Sequence, residues 1–210
     1  MNLDNTGEFI SQLEIAISKF GLPALSDEQL HRLTLHYSML CKWNQRLNLT
    51  RITEVREVAR LHYAESLFAA KFLLSARKLL DIGSGAGFPV IPLAVCLSDL
   101  QFTALEANQK KSTFLKEAKD ELGLANLEVA SERVEEFSIS GYDVITSRAL
   151  DRADTILPSI IVRLEPEQKF MLFCGLDLLK KLRALAGLDI ETHQIPESES
   201  RYIGLIRRNA

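Results

Sequence analysis

Cysteine is scarce in this 210-residue chain: Cys41, Cys96 and Cys174 lie far apart, with no Cys-x-x-Cys pair and no neighbouring histidine cluster. That excludes a disulfide framework and gives no metal-ligand spacing, so the thiols read as reduced and structural and no metal is expected. Long apolar runs are also missing, and the N-terminus carries Asp4, Glu8 and Glu14 where a signal peptide would be basic. The chain therefore reads as cytoplasmic, with no membrane association. Ten glycines and six prolines mark no low-complexity tract, and no internal repeat is present. A hydrophobic content of 47% with 25% charged residues excludes disorder and suits one well-filled domain with a small appendage. Nor is there an excess of positive charge. The formal net charge is -3, which argues against a protein that coats nucleic acid.

What is present is unevenly placed. Residues 1–30 carry Asp4, Glu8, Glu14, Asp27 and Glu28 against Lys19, whereas Lys42, Arg46, Arg51, Arg56 and Arg60 outnumber Glu54 and Glu57 in the next basic stretch. Taken alone, such a stretch is a solvated face as readily as a phosphate-binding surface.

Residues 1–75 read as a helical region. Phe9, Leu13, Ile17 and Phe20 recur at helical spacing until Gly21 and Pro23 stop the run. Ser26 followed by Gln29 fits a capping box for a second helix with Leu30, Leu33, Tyr37, Leu40 and Trp43 along one face. A third helix follows Thr53, with Val58, Leu61 and Phe72 inward. From residue 76 to 210 the pattern changes to short apolar runs alternating with helical stretches, as around a parallel sheet. Strands are expected at 78–82, 101–105, 127–130, 142–147 and 168–173, with helices after the first, second, fourth and fifth. Two last strands, 188–195 and 201–207, are separated only by Pro196 to Ser200 and should form an antiparallel hairpin. This α/β arrangement, a seven-stranded, mostly parallel sheet with an antiparallel C-terminal hairpin and an N-terminal helical extension, resembles the class I (Rossmann-like) methyltransferases.

The most informative stretch runs from Leu79 through Asp81, Gly83, Gly85 and Gly87 to Phe88 and Pro89: a buried strand, a glycine-rich turn, then a helix. Glycine tolerates positive φ and leaves no Cβ between backbone and ligand, so a cofactor can approach the strand end closely. A dinucleotide fingerprint would need glycine where Phe88 stands, which weakens a rival reading as an NAD-dependent oxidoreductase. The acid-x-Gly-x-Gly-x-Gly form looks like the first motif of class I methyltransferases, which face S-adenosylmethionine. The second strand ends in Glu106, a two-oxygen acceptor for ribose hydroxyls. After the third strand, Ser131 to Phe137 would place backbone and an acid near an adenine ring. The fourth ends in Ser147-Arg148-Ala149, without the Asp-Pro-Pro-Tyr of enzymes that methylate exocyclic amines.

Assembled, these motifs resemble the bacterial 16S rRNA methyltransferase G family (RsmG, also called GidB). The likeness is carried by Lys42-Trp43-Asn44, Asn48-Leu49-Thr50, His62 to Ser66, Asp81 to Pro92, Arg133 to Phe137 and Ser147-Arg148-Ala149. It implies transfer of a methyl group from S-adenosyl-L-methionine to N7 of a guanine in 16S rRNA, at the position usually numbered 527, on naked RNA or a small-subunit particle. It places cofactor contacts at Gly83, Phe88, Val134, Glu135 and Arg148, beside Asp81, Gly85, Gly87 and Glu106 from the motif reading. RNA contacts fall to Arg46, Arg51, Arg56, Arg60 and His62, with Arg207 and Arg208 as further candidates. The chain departs from the family in having Glu65 where His-x-x-Asp-Ser is usual. Cys174 precedes Gly175 where lysine is common, and Leu150-Asp151-Arg152 follow where small residues are common.

Guanine N7 carries a lone pair and no proton, so attack on a sulfonium methyl needs no general base, and positioning supplies most of the catalysis. Arg148 is then the catalytic candidate as an orienting group, since a guanidinium does not exchange protons at neutral pH. Cys174 stands where the nucleophile of an RNA cytosine-C5 methyltransferase would, but without the adjoining Pro-Cys or Thr-Cys motif. The principal rivals are a non-catalytic RNA- or nucleotide-binding protein on the same fold and a methyltransferase with another RNA target.

Overall fold

The structure, a computed structural model, describes residues 5–148 and 153–209. Asp4, Ala149 and Leu150 to Arg152, all noted in the sequence, lie outside the described residues.

Helix α1 (Thr6–Lys19) buries Phe9, Leu13 and Ile17 and ends before Gly21, whose φ of 64° a side chain would resist. Helix α2 (Asp27–Leu47) starts with the expected capping box. Ser26 Oγ accepts from Gln29 N at 3.2 Å and Gln29 Oε1 from Ser26 N at 2.9 Å. Leu33, Tyr37 and Leu40 are fully buried, and Trp43 packs edge-on against Phe114 at 5.8 Å. The third helical stretch is not regular. It opens as α3 (Val55–Glu57), capped by the Glu54 carboxylate, widens into a π-helix (Val58–Ala64), and returns through α4 (Glu65–Phe68) to a 3-10 turn (Ala69–Phe72). Each π turn takes one residue more than an α turn, which rotates the face. Val58 is accordingly buried as expected, but Leu61 and Phe72 are only half-buried, while His62, Tyr63, Glu65 and Ser66 turn inward.

The sheet has seven strands: β1 (Lys78–Ile82), β2 (Gln101–Leu105), β3 (Leu127–Ala130), β4 (Val144–Arg148), β5 (Lys169–Gly175), β6 (Leu188–Gln194) and β7 (Arg201–Arg208). Their order is β3-β2-β1-β4-β5-β7-β6, parallel through β5 and antiparallel at β7 and β6. Strand β4 begins two residues later than the sequence suggests, because Asp143 serves as a cap: its carboxylate accepts from the backbone N–H of Arg77 and Lys78 at 2.7 and 2.8 Å. Helices α5 (Val90–Cys96), α6 (Gln109–Glu121), α7 (Ala153–Arg163) and α8 (Leu176–Arg183) follow β1, β2, β4 and β5.

Strand residues alternate between the two faces, as the period of two requires. Leu79, Phe102, Ala104, Met171, Phe173, Ile203 and Leu205 join a core continuous with α1, α2, the π-helix, α5 and α6. Leu80, Ile82, Leu105, Ile145, Phe170, Leu172 and Ile206 face α7 and α8 on the other side. The helical region thus covers one face of the sheet and shares its core. Among the described residues, no helix is long and apolar enough to cross a membrane.

Candidate cofactor and acceptor site

Strand β1 delivers the chain to the carboxyl edge of the sheet, where Gly83, Gly85 and Gly87 all take positive φ, at 72°, 54° and 84°. The turn is fastened to the end of β2, with Gly83 N and Ser84 N both donating to Leu105 O, at 2.8 and 3.2 Å. Glu106, nearly buried, accepts from Gly85 N at 2.9 Å through one oxygen and from Asn108 N at 2.8 Å through the other. Each oxygen keeps lone-pair capacity for a ligand hydroxyl.

Asp81 lies fully buried beneath this turn, and neither of its carboxylate oxygens has a hydrogen-bond partner among the described residues. Burial pushes its carboxyl up to about 8; the neighbouring Ser84 hydroxyl opposes that rise in part, and the nearby charge of Glu106 adds to it. A buried acid without a donor is costly unless a ligand supplies one. The ammonium group of a bound methionine moiety would do so, and the glycine turn leaves room for it. A Cβ on Gly85 would meet only Gly83 O, at 3.7 Å. The arrangement therefore fits S-adenosylmethionine. Gly87 serves packing instead. A Cβ there would run into the side chain of Ile91, 2.8 Å from its Cγ1, and approach His36 Nε2 at 3.4 Å.

The other expected cofactor residues are dispersed in role. Phe88 is buried, its ring stacked on His62 at 4.5 Å and flanked by His36 and Tyr63 at 5.2 and 5.1 Å. Its side chain thus joins the glycine turn to the helical region. Val134 is buried and its carbonyl accepts from Arg163 Nη1 at 2.7 Å, whereas Glu135 is exposed.

A second group forms where β4, β5 and β7 meet the π-helix. Arg148, its side chain 8% exposed, donates from Nη2 to Leu61 O at 2.5 Å and to His62 Nδ1 at 3.1 Å. Because Arg148 can only donate, His62 Nδ1 is the acceptor and its proton sits on Nε2, which donates to Thr50 Oγ1 at 2.8 Å. Burial, reinforced by the charges of Arg148 and Arg201, holds this imidazole neutral, well below its usual range. Glu65, completely buried, receives Arg201 Nη2 at 2.7 Å and lies 3.6 Å from Arg148 Nη2, both through Oε2. Burial lowers Arg148 only to about 10, so its guanidinium stays charged. His62, Arg148, Phe173, Cys174, Gly175 and Arg201 contribute to the wall of a cavity of ≈ 350 Å³. The Cys174 thiol is pushed up to about 12 by burial, which leaves it protonated and unreactive.

The expected RNA residues divide. Arg46, Arg51 and Arg56 are exposed. Arg60 is spent inside the molecule, pairing with both Glu57 oxygens at 3.2 Å and donating to Glu197 O at 3.1 Å. His62 is likewise committed on both nitrogens and 8% exposed, so its expected role in touching RNA gives way to one in the cavity wall. Arg208 ties the last strand to Val162 O at 2.6 Å. The sequence marked Glu65 only as a departure and did not mark Arg201 at all. A charged residue opening a strand carries no local signal of the site it enters.

A seven-stranded sheet of this order, with a glycine turn after β1 and an acid ending β2, defines a class I methyltransferase. Solved structures agree on the fold. Cofactor-bound Rv0187 from MTB superposes with a TM-score of 0.63 at 17% identity, over 85% of this chain and 91% of that one. A ribosomal protein L11 methylase from Lactobacillus delbrueckii subsp. bulgaricus gives 0.56 at 17% identity, over 72% and 80%. The sequence profile described as rRNA small subunit methyltransferase G matches residues 29–199, and the chain belongs to that family. Relatives named ribosomal RNA small subunit methyltransferase G include one from Laribacter hongkongensis, 44% identical over 140 residues, and one from Hydrogenovibrio crunogenus, 40% identical over 150. The first alignment spans 66% of each chain, the second 71% of this chain and 68% of the relative.

Proposed function

We propose that this chain transfers the methyl group of S-adenosylmethionine to N7 of a guanine in 16S ribosomal RNA. The observation that carries the reading is that, among the described residues, the cavity wall holds neither a free base nor a reactive nucleophile. His62 is neutral with both nitrogens engaged, Cys174 is a protonated thiol, and the two arginines are cations. An acceptor that must lose a proton, or a pyrimidine that must be attacked by a thiolate, is poorly served there. Guanine N7 requires neither.

The cofactor supplies an electrophilic sulfonium methyl when bound. Asp81 would hold its ammonium group, Gly83 and Gly85 leave its backbone approach open, and Glu106 would accept its ribose hydroxyls. Arg148 fixes the π-helix against β4, so that the cavity wall and the glycine turn keep one geometry. Holding two reactants at attack distance removes on the order of 7–11 kcal/mol from a bimolecular barrier, which makes such positioning sufficient chemistry. The exposed Arg46, Arg51 and Arg56 beside Lys42 supply cations that suit phosphates of a folded RNA.

The test is to map N7-methylguanosine in small-subunit ribosomal RNA from cells with and without this gene. Loss of one methylated guanine, restored by the purified protein with S-adenosylmethionine, is the expected result. An unchanged map, together with RNA binding and no methyl transfer, would favour a non-catalytic binding protein.

A further inference from the structure

Two guanidiniums meet at one carboxylate oxygen of Glu65, and both line the cavity at the ends of β4 and β5. They differ in what each has left to donate. Arg148 is almost enclosed and gives its hydrogen bonds to Leu61 O, His62 O and His62 Nδ1. Arg201 has a side chain 37% exposed, and among the described residues its guanidinium has Glu65 as its one hydrogen-bond partner. Its Nε is buried with none. The β5–β7 register sets Arg201 opposite Gly175, which has no side chain of its own to place on that face of the strand pair. Arg201 thus brings a cation from the adjacent strand to the place where Cys174 offers none.

We infer that Arg201 is a specificity-determining residue of the acceptor cavity, donating to the O6 oxygen of the target guanine. This rests on the reading above that guanine N7 is the acceptor. Among the described residues, two guanidiniums, one carboxylate and a neutral His62 give this part of the wall one net positive charge, beside the nearly buried ring of Phe173. Such a wall accepts an oxygen and repels an amino group. When N7 faces the methyl, the next group on that edge of the base is O6 in guanine and a donor N6 amine in adenine. Arg201 is free to meet the first and would set N–H against N–H with the second. Glu65 acts through Arg201: it holds the guanidinium plane and lies too deep to reach the base itself.

The test uses the full chain and synthetic RNA hairpins of the methylated loop, carrying at the target either guanosine or 2-aminopurine, which keeps N7 and lacks O6. Methyl transfer to each is compared for the wild type, Arg201→Lys and Arg201→Ala, with calorimetric S-adenosylmethionine affinity as the check on folding. The wild type should prefer guanosine at least about tenfold in kcat/KM, the usual worth of a hydrogen bond to a charged group. Both variants should bind cofactor normally and lose most of that preference, because guanosine transfer falls while 2-aminopurine transfer does not. Arg201→Lys keeps the charge beside Glu65, so it tests donor geometry if Arg201→Ala fails to fold. An unchanged preference in Arg201→Lys would overturn the inference. So would an equal fall on both templates, which is the mark of a phosphate contact. A wild type that methylates neither template nor ribosomal RNA would instead overturn the reading of the reaction.

Discussion

Arg148 Nη2 lies 2.5 Å from the carbonyl oxygen of Leu61, so the last residue of β4 is fastened to the middle of the π-helix. A π-helix shifts the backbone hydrogen-bond pattern by one residue, and carbonyls displaced in this way need donors from elsewhere. Arg148 supplies one from the sheet. The irregular helix and the strand end are therefore one unit, and the cavity wall is built from both.

Replacing Arg148 by alanine should accordingly cost both stability and rate. The carbonyls of Leu61 and His62 lose a charged donor and Glu65 keeps only Arg201, a loss of about 3 kcal/mol in urea unfolding. Methyl transfer should fall by about a hundredfold or more, because the wall and the glycine turn no longer hold one geometry. Arg148→Lys, which keeps the charge without the fork, should recover stability better than turnover. Wild-type turnover in Arg148→Ala would remove the residue from the mechanism.

The last two glycines of the turn should separate folding from binding. At Gly85 an alanine costs roughly 1 kcal/mol of left-handed backbone strain and meets no packed side chain, so the protein folds while cofactor affinity drops. At Gly87 the same substitution drives a Cβ into Ile91 and should lower stability by about 2 kcal/mol or more, as strain and overpacking add. Thermal melts and calorimetry read the two effects. Equal melting temperatures for the two variants would contradict the division.

Cofactor binding should release a proton. Asp81 is largely protonated at pH 7 in the free protein, with burial raising it to about 8, and an ammonium group placed against it favours the carboxylate. Titration of S-adenosylmethionine in buffers of different ionisation enthalpy should show up to about one proton released at pH 7, and none in Asp81→Asn. A binding enthalpy independent of buffer would place the ammonium group elsewhere.

Stability of the ligand-free protein should peak near pH 6.5. Burial depresses His36 to about 3 and His62 well below 6.5, so only the unfolded chain takes up their protons as pH falls. Each ring's contribution is present above that pH and lost below it, at about 1.4 kcal/mol per pH unit. Asp81 works the other way. Raised from 3.8 to about 8, it favours the folded state at low pH and loses that contribution as pH rises through 8. Below pH 6 two rings oppose one carboxyl, which leaves a net fall of about 1.4 kcal/mol per unit toward acid. Above 6.5 Asp81 alone gives a shallower fall. Urea titrations from pH 5 to 8 measure both limbs, and His36→Gln should flatten the acid one.

Charge reversal at Arg51 and Arg56 should weaken RNA binding and reduce the magnitude of its salt slope by about two, as expected for two lost phosphate contacts. Arg60→Ala should leave the slope alone and lower stability slightly, because its guanidinium is already paired with Glu57 and Glu197. An unaltered slope in the double reversal would mark the stretch as a solvated face.

The sequence by itself determined the sheet and the turn, because the signals for both are local. Strand residues such as Leu79 and Leu80 show their burial in an apolar run, Ser26 and Gln29 cap a helix three residues apart, and Gly83, Gly85 and Gly87 follow Asp81 directly. The RNA side was legible only as composition: five cations in one stretch say nothing of which face water. Tertiary structure decided that Arg60 is already paired, that His62 turns inward, that Phe88 spends its ring on the helical region, and that Gly87 spaces a helix and not a ligand. It also assembled Glu65, Arg148 and Arg201, residues from the short helix α4 and two strands far apart in the chain. The reason is physical: whether a charge is free or paired depends on the dielectric and the partners around it, and those come from parts of the chain that meet only on folding.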